Sequence, residues 1–227
     1  MLSTSNSTQS VVVVDYGSGN LRSVAQALRA VAGAHTSVLI SNDPAAIRAA
    51  HRVVLPGQGA MPDCMKHLRA SGLLDAVLEA AIGSHPKPLM GVCVGQQMLL
   101  GGSTESTDGS GFTPAMGLIA GRVVRFETGL KNDVGERLKV PHMGWNQVFH
   151  PGNHPVFKGI ASGERFYFVH SYYAQPTQAV HQLATTDYGV PVCVAVGKDN
   201  LIGLQFHPEK SAAAGLALYK NFLDWRV

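Results

Sequence analysis

Apolar residues recur along this chain with two different periods, and the balance between them shifts near its middle. Val11–Val14 form a β-branched run that ends in the turn "DYGSGN". In "LRSVAQALRAV" the positions Leu21, Val24, Ala25, Leu28 and Val31 fall at helical spacing. "TSVLIS" predicts a second strand. "NDPAAIRAA" predicts a short helix opened by Asp43 and Pro44. "RVVLPGQGAMP" reads as a third strand entering a glycine loop. "DCMKHLRASGLLDAVLEAAIGSH" reads as helix, broken near Ser71-Gly72, and "KPLMGVC" as a fourth strand. Strands alternating with helices imply an α/β fold with a central, mostly parallel sheet flanked by helices. Short, continuously apolar strands fit a sheet covered on both faces.

From Gly117 to Gln205 the pattern is mostly strand. "GLIAGRVVRF", "GERFYFVHSYYA", "HQLATT", "VPVCVAV" and "LIGLQFH" are separated by glycine, proline and asparagine turns. The C-terminal half is therefore strand-rich. It closes on a helix, "SAAAGLALYKNFLDWR", started by Ser211. No repeat or long linker divides the chain, so residues 11–227 read as one domain. The polar start, residues 1–10, has no basic region followed by an apolar core. It reads as a disordered tail and not as a signal peptide.

Composition narrows the function classes. The 227 residues are 45% hydrophobic and 15% charged, which fits a soluble globular protein. A net charge of +3, with no basic run, gives no reason to expect nucleic acid. No apolar segment is long enough to span a membrane. Cys64, Cys93 and Cys193 are an odd, scattered set without metal spacing, which predicts a reducing, cytoplasmic setting, no disulfide framework and no metal. "DYGSGN" lacks the third glycine of a dinucleotide fingerprint, because Arg22 stands there. It reads as a tight strand-to-helix turn on the sheet rim, as does "PGQG" (Pro56 to Gly59).

One cysteine stands apart. Cys93 lies between glycines in "LMGVCVGQQ", directly after an apolar strand and before a helix. A sharp strand-to-helix turn exposes a nucleophile beside a helix N-terminus, where a thiolate is favoured and a backbone N–H, here that of Val94, points into the site. Cys64 and Cys193 have no such glycines and read as structural. A cysteine nucleophile needs a base and a group to orient it. Of ten histidines, His207 ends an apolar strand in "FHPEKS", with Glu209 two residues on. An extended backbone held by Pro208 would put both on one face. His35, His51, His67, His85, His150, His154 and His181 read as solvated surface.

"GVCVGQQ" followed downstream by "FHPE" resembles the class I glutamine amidotransferases, over nearly the whole chain after Ser10. The resemblance implies that Cys93, His207 and Glu209 form a Cys-His-Glu triad that hydrolyses glutamine. It implies an oxyanion hole from the N–H of Val94 and of Gly57 or Gln58. It implies a glutamine pocket with Gln97 and the backbone of His170, Ser171 and Tyr172. At Gln58 this chain departs from the small apolar residue common in the family. "VVDYGSGNLRSV", "LPGQGAM", "VPHMGWNQV" and "FYFVHSYYA" resemble the branch of the family that feeds ammonia to a cyclase subunit with a (β/α)8 barrel in histidine biosynthesis. Docking is then expected at Asp15, Asn20, His142, Met143, Trp145 and Asn146. For Trp145 the residues alone leave an interface anchor and a core residue both open. No cofactor is implied. A stand-alone γ-glutamyl peptidase and a binding subunit with a relict site are the rival readings.

Overall fold

The computed structural model describes residues 9–227. The elements run β1 (Gln9–Val14), α1 (Leu21–Val31), β2 (Thr36–Ser41), α2 (Pro44–Ala49), β3 (Arg52–Gly57), α3 (Met61–Ala70), α4 (Leu74–Ile82), β4 (Leu89–Cys93) and α5 (Val94–Met98). They continue as β5 (Gly102–Ser103), β6 (Thr113–Pro114), β7 (Gly121–Arg125), β8 (His142–Val148), β9 (Glu164–His170), β10 (Tyr172–Pro176), β11 (Gln182–Asp187), β12 (Pro191–Lys198), β13 (Leu201–Leu204) and α6 (Ala212–Asp224). Strand β1 begins at Gln9, two residues before the β-branched run. The rest of the expected N-terminal tail, residues 1–8, lies outside the described residues.

The main sheet has the order β2-β1-β3-β4-β13-β12-β10-β7-β5-β6, with β11 paired to β12. From β2 to β13 every pairing is parallel. Beyond β13 the sheet continues through antiparallel pairings of β12, β10 and β7. The predicted α/β class with helices flanking the sheet is therefore observed, with the parallel pairings gathered in one half apart from the short contact of β5 with β7. Strands β1, β3 and β4 are buried almost throughout, which is why they carry runs of valine and leucine with no polar alternation. Strands β8 and β9 form a separate antiparallel ribbon, so "GERFYFVHSYYA" divides at Ser171 between two sheets. Among the described residues no helix is long and apolar enough to cross a membrane.

Local signals act largely as expected. Asp43 Oδ1 accepts the N–H of Ala45 at 2.8 Å and caps α2. Gly72, at φ +72°, ends α3 and separates it from α4. Ser211 departs from expectation. It precedes α6, but its hydroxyl makes no cap; Oγ donates to the His207 carbonyl at 2.6 Å and accepts the Tyr167 N–H at 3.0 Å. The C-terminal end of α6 is held instead by buried Arg52, which donates to the Phe222 and Trp225 carbonyls at 3.0 and 2.6 Å.

Candidate active site

The glycines around Cys93 have a steric cause. Helix α5 lies directly on the ends of β3 and β4. A side chain on Gly95 would overlap the Leu55 carbonyl oxygen, and one on Gly91 would come within 2.5 Å of the Gly95 carbonyl oxygen. The close approach forces the chain to reverse within one residue. Cys93 takes the strained values φ 55°, ψ −113° and sits at the apex. Helix α5 is only five residues long, so the field at the thiol comes from its first N–H groups and not from a long macrodipole.

The parallel pairing of β13 with β4 carries the chain after Leu204 to the same sheet edge. His207 is fixed there by its N–H to the Tyr167 carbonyl at 2.9 Å and by Ser211 on its carbonyl. His207 itself is extended, at φ −105°, ψ 94°, but Pro208–Lys210 form a 3₁₀ turn. That turn, and not the extended geometry expected, brings the Glu209 carboxylate back. His207 Nδ1 and Glu209 Oε1 are 2.8 Å apart, and both side chains are buried. Tyr219 Oη donates to Glu209 Oε2 at 3.4 Å. Burial alone lowers the His207 imidazole; Cys93 and Glu209 beside it outweigh burial and raise it above its ordinary value. Nε2 has no hydrogen-bond partner among the described residues, and it is the ring nitrogen left available to the cavity.

Cys93, His207, Val94, Gln97, Gln58, His170, Ser171 and Tyr172 all line one cavity of about 380 Å³. Gln97 Nε2 donates to Gln205 Oε1 at 3.0 Å and to the Tyr172 carbonyl at 3.4 Å. Gln205 Nε2 lies 3.9 Å from Cys93 Sγ. Gln205 is fully buried and touches the thiol, yet nothing in its local sequence singled it out. Glu105 and Lys210 on the cavity wall were likewise unforeseen. Gly57 pairs with Cys93 across β3 and β4, and a Cβ there would sit 2.8 Å from the Gly95 nitrogen. The "DYGSGN" turn binds this loop: Tyr16 Oη donates to the Pro56 carbonyl at 2.8 Å, and Ser18 Oγ to the Gln58 carbonyl at 3.0 Å.

The other sequence candidates scatter. Cys64 Sγ donates to the Gln58 carbonyl at 3.3 Å, and burial pushes the Cys193 thiol up to about 12. His150 stacks on Phe157 and His154 packs against Trp225, so neither is the solvated surface residue expected. Of the residues assigned to docking, Met143 and Trp145 are 62% and 48% exposed. Asn20 lines the cavity mouth. Asp15 is half-buried, and its Oδ1 accepts the Gly17 N–H at 3.1 Å. His142 corrects the expectation: it is 3% exposed and points into the ribbon, because alternate β8 residues face inward.

The glutamine amidotransferase class-I family model matches residues 12–225. The chain belongs to the class I glutamine amidotransferase family. Its relatives include the imidazole glycerol phosphate synthase subunit HisH of Dechloromonas aromatica, 52% identical over 219 residues, covering 96% of this chain and 97% of that one. The HisH subunit of Chromobacterium violaceum is 50% identical, covering 95% and 97%. The solved structure of PurLQS from Thermotoga maritima superposes with a TM-score of 0.65 at 20% identity, covering 96% and 98%, a likeness of fold.

Proposed function

We propose that the chain, acting as one domain over residues 11–227, is the glutaminase subunit of an imidazole glycerol phosphate synthase in the cytoplasm. One observation carries the reading: a cysteine on a strained elbow shares a cavity with a histidine bonded to a buried carboxylate at 2.8 Å. Cys93, as thiolate, adds to the side-chain amide carbon of L-glutamine. The amide oxygen becomes an oxyanion facing the N–H of Val94 and that of Gly57 or Gln58. His207 Nε2–H gives its proton to the amide nitrogen. The C–N bond breaks, ammonia leaves, and a γ-glutamyl thioester remains. His207 then takes a proton from water, which attacks the thioester and releases glutamate. Glu209 accepts from Nδ1 throughout, which holds the ring and stabilises its charged form. Gln97 and the Tyr172 backbone hold the far end of the substrate.

Free ammonia protonates in water and escapes. The proposed partner is a cyclase subunit with a (β/α)8 barrel, docked near Trp145. It uses ammonia to form imidazole glycerol phosphate and aminoimidazole carboxamide ribonucleotide. The near-full-length identity to HisH subunits supports this assignment. The test measures glutamate release with and without the cyclase and its nucleotide ligand. Cys93→Ala is expected to abolish glutamine-dependent synthesis and to spare synthesis from ammonium salt. Normal glutamine-dependent synthesis by Cys93→Ala overturns the proposal.

A further inference from the structure

His142 and His170 face each other as a cross-strand pair of β8 and β9, which explains how two histidines far apart in sequence meet. His142 Nδ1 and His170 Nε2 are 3.0 Å apart, and both rings are buried. Upstream, Asn146 Nδ2 lies 3.3 Å from His142 Nε2. Downstream, His170 Nδ1 lies 2.9 Å from the Tyr172 carbonyl oxygen.

The protons in this series have one arrangement. Asn146 Nδ2 also donates to the Asp187 carbonyl at 2.8 Å, and its Oδ1 accepts the Gln147 N–H at 2.8 Å. The amide therefore cannot be turned round, and the nitrogen must face His142. His142 Nε2 then accepts, so its proton is on Nδ1 and points at His170 Nε2. His170 Nε2 accepts in turn, so its proton is on Nδ1 and points at Tyr172. The far end gives the same answer independently, because a carbonyl oxygen only accepts. A second proton on either ring would set two N–H groups against each other. Burial acts in the same direction, lowering His142 to about 4 and His170 to about 3.

We infer that Asn146, His142 and His170 form a one-way donor chain that fixes the Tyr172 carbonyl, and with it the Gln97 amide, at the glutamine-holding end of the cavity. His142 and His170 are thus positioning residues. The Tyr172 oxygen receives both His170 Nδ1–H and Gln97 Nε2–H, which uses both of its lone pairs. The neighbouring Ser171 carbonyl is held by the Phe126 N–H at 3.0 Å. The chain begins in half-buried Asn146, next to exposed Trp145. It ends on the wall of the cavity that Cys93 also lines.

The inference rests on the glutaminase reading, and the test separates the two. Glutamine kinetics are measured on the full chain with its cyclase partner, and ring tautomers by ¹⁵N NMR on the full chain alone. If the wild-type complex releases no glutamate, the glutaminase reading fails, whatever the tautomers. With activity present, His142→Phe is expected to raise KM for glutamine about three- to tenfold, the size of one hydrogen bond, with kcat changed less than about twofold. The phenyl ring keeps the stacking on Phe168 and Tyr188 but donates nothing. His142→Asn loses the ring but places an amide N–H near the old Nδ1, and is expected to hold KM closer to wild type. A packing role predicts the opposite order of the two variants. In the wild type, His142 and His170 are both expected to be Nδ1–H tautomers, a measurement that needs no variant to fold. Nε2–H on either ring, an unchanged KM in His142→Phe, or a better KM in Phe than in Asn overturns the inference.

Discussion

In the proposed triad, replacing Glu209 by glutamine separates the two things the carboxylate would do: orient the imidazole and balance its charge. The outcome turns on Tyr219. A glutamine amide presents one acceptor and one donor, and only the acceptor orientation keeps the His207 proton on Nδ1. The Tyr219 hydroxyl, now 3.4 Å from Oε2, can accept the amide N–H and so hold that orientation. What remains is loss of charge. A hydrogen bond to a charged group contributes about 1 to 1.5 kcal/mol more than a neutral one, so the rate is expected to fall about tenfold. His207→Ala removes the proposed acid and base and is expected to cost about a hundredfold to ten-thousandfold. In the double variant Glu209→Gln/Tyr219→Phe the amide is free to turn its N–H toward Nδ1, which imposes the wrong tautomer. At least a further tenfold loss is then expected, while Tyr219→Phe alone costs about threefold at most, because its bond is long. The assay is steady-state glutamate release by the complex across pH. Since Glu209 helps raise His207, the limb set by that imidazolium is expected to move to lower pH in Glu209→Gln. A loss in Glu209→Gln as large as in His207→Ala, with no added effect of Tyr219→Phe, refutes the reasoning.

A glutamine-like diazo-ketone is expected to label Cys93, which lines the cavity, far faster than Cys64 or Cys193, which are buried and do not line it; peptide mapping reads the site, and a label mainly on either of those two contradicts the nucleophile assignment. Turnover of glutamine is expected to rise at least about a hundredfold when the liganded cyclase docks, the size of one oxyanion donor, and Gln58→Pro is expected to remove most of that rise while the complex still forms; equal turnover alone and in complex excludes such gating. Because the Ser18 hydroxyl and Cys64 thiol tie down the Gln58 carbonyl and Gly57 is packed against Gly95, any rotation is confined to the single peptide joining residues 57 and 58. His142, His154 and His170 are held at about 4, 4 and 3 by burial, against about 6.5 unfolded, so the unfolded chain binds more protons below that value. Their contribution to stability is complete above about pH 6.5 and is lost as pH falls toward about 4, whereas that of His207, raised in the native state, is complete below about 6.5 and lost only on the alkaline side. Urea midpoints that stay flat between pH 7 and pH 4.5 contradict this.

The strands and helices up to Cys93 were legible because each is local. A β-branched run, a helical repeat, Asp43 before Pro44, and glycine at a helix end all act within a few residues. The elbow was partly legible for the same reason: Gly91 records a crowding against Gly95 within five residues of chain, whereas the crowding at Gly95 is against Leu55 of β3 and only the fold shows its partner. Pairing was not legible, since apolar alternation records that a face is buried and not what covers it. Only the tertiary structure seats β13 beside β4, more than a hundred residues away in sequence, and that register brings His207 and Gln205 to Cys93. It divides Glu164–Pro176 between two sheets, turns Ser211 from a helix cap into a support for His207, and folds Pro208–Lys210 into the turn that returns Glu209. His142 looked like a surface residue beside Trp145 because both lie in "PHMGWN". The pleat of β8 puts them on opposite faces, and the register with β9 sets His142 against His170. A hydrogen bond between side chains depends on distance in space, and sequence separation carries no information about that until the strands are paired.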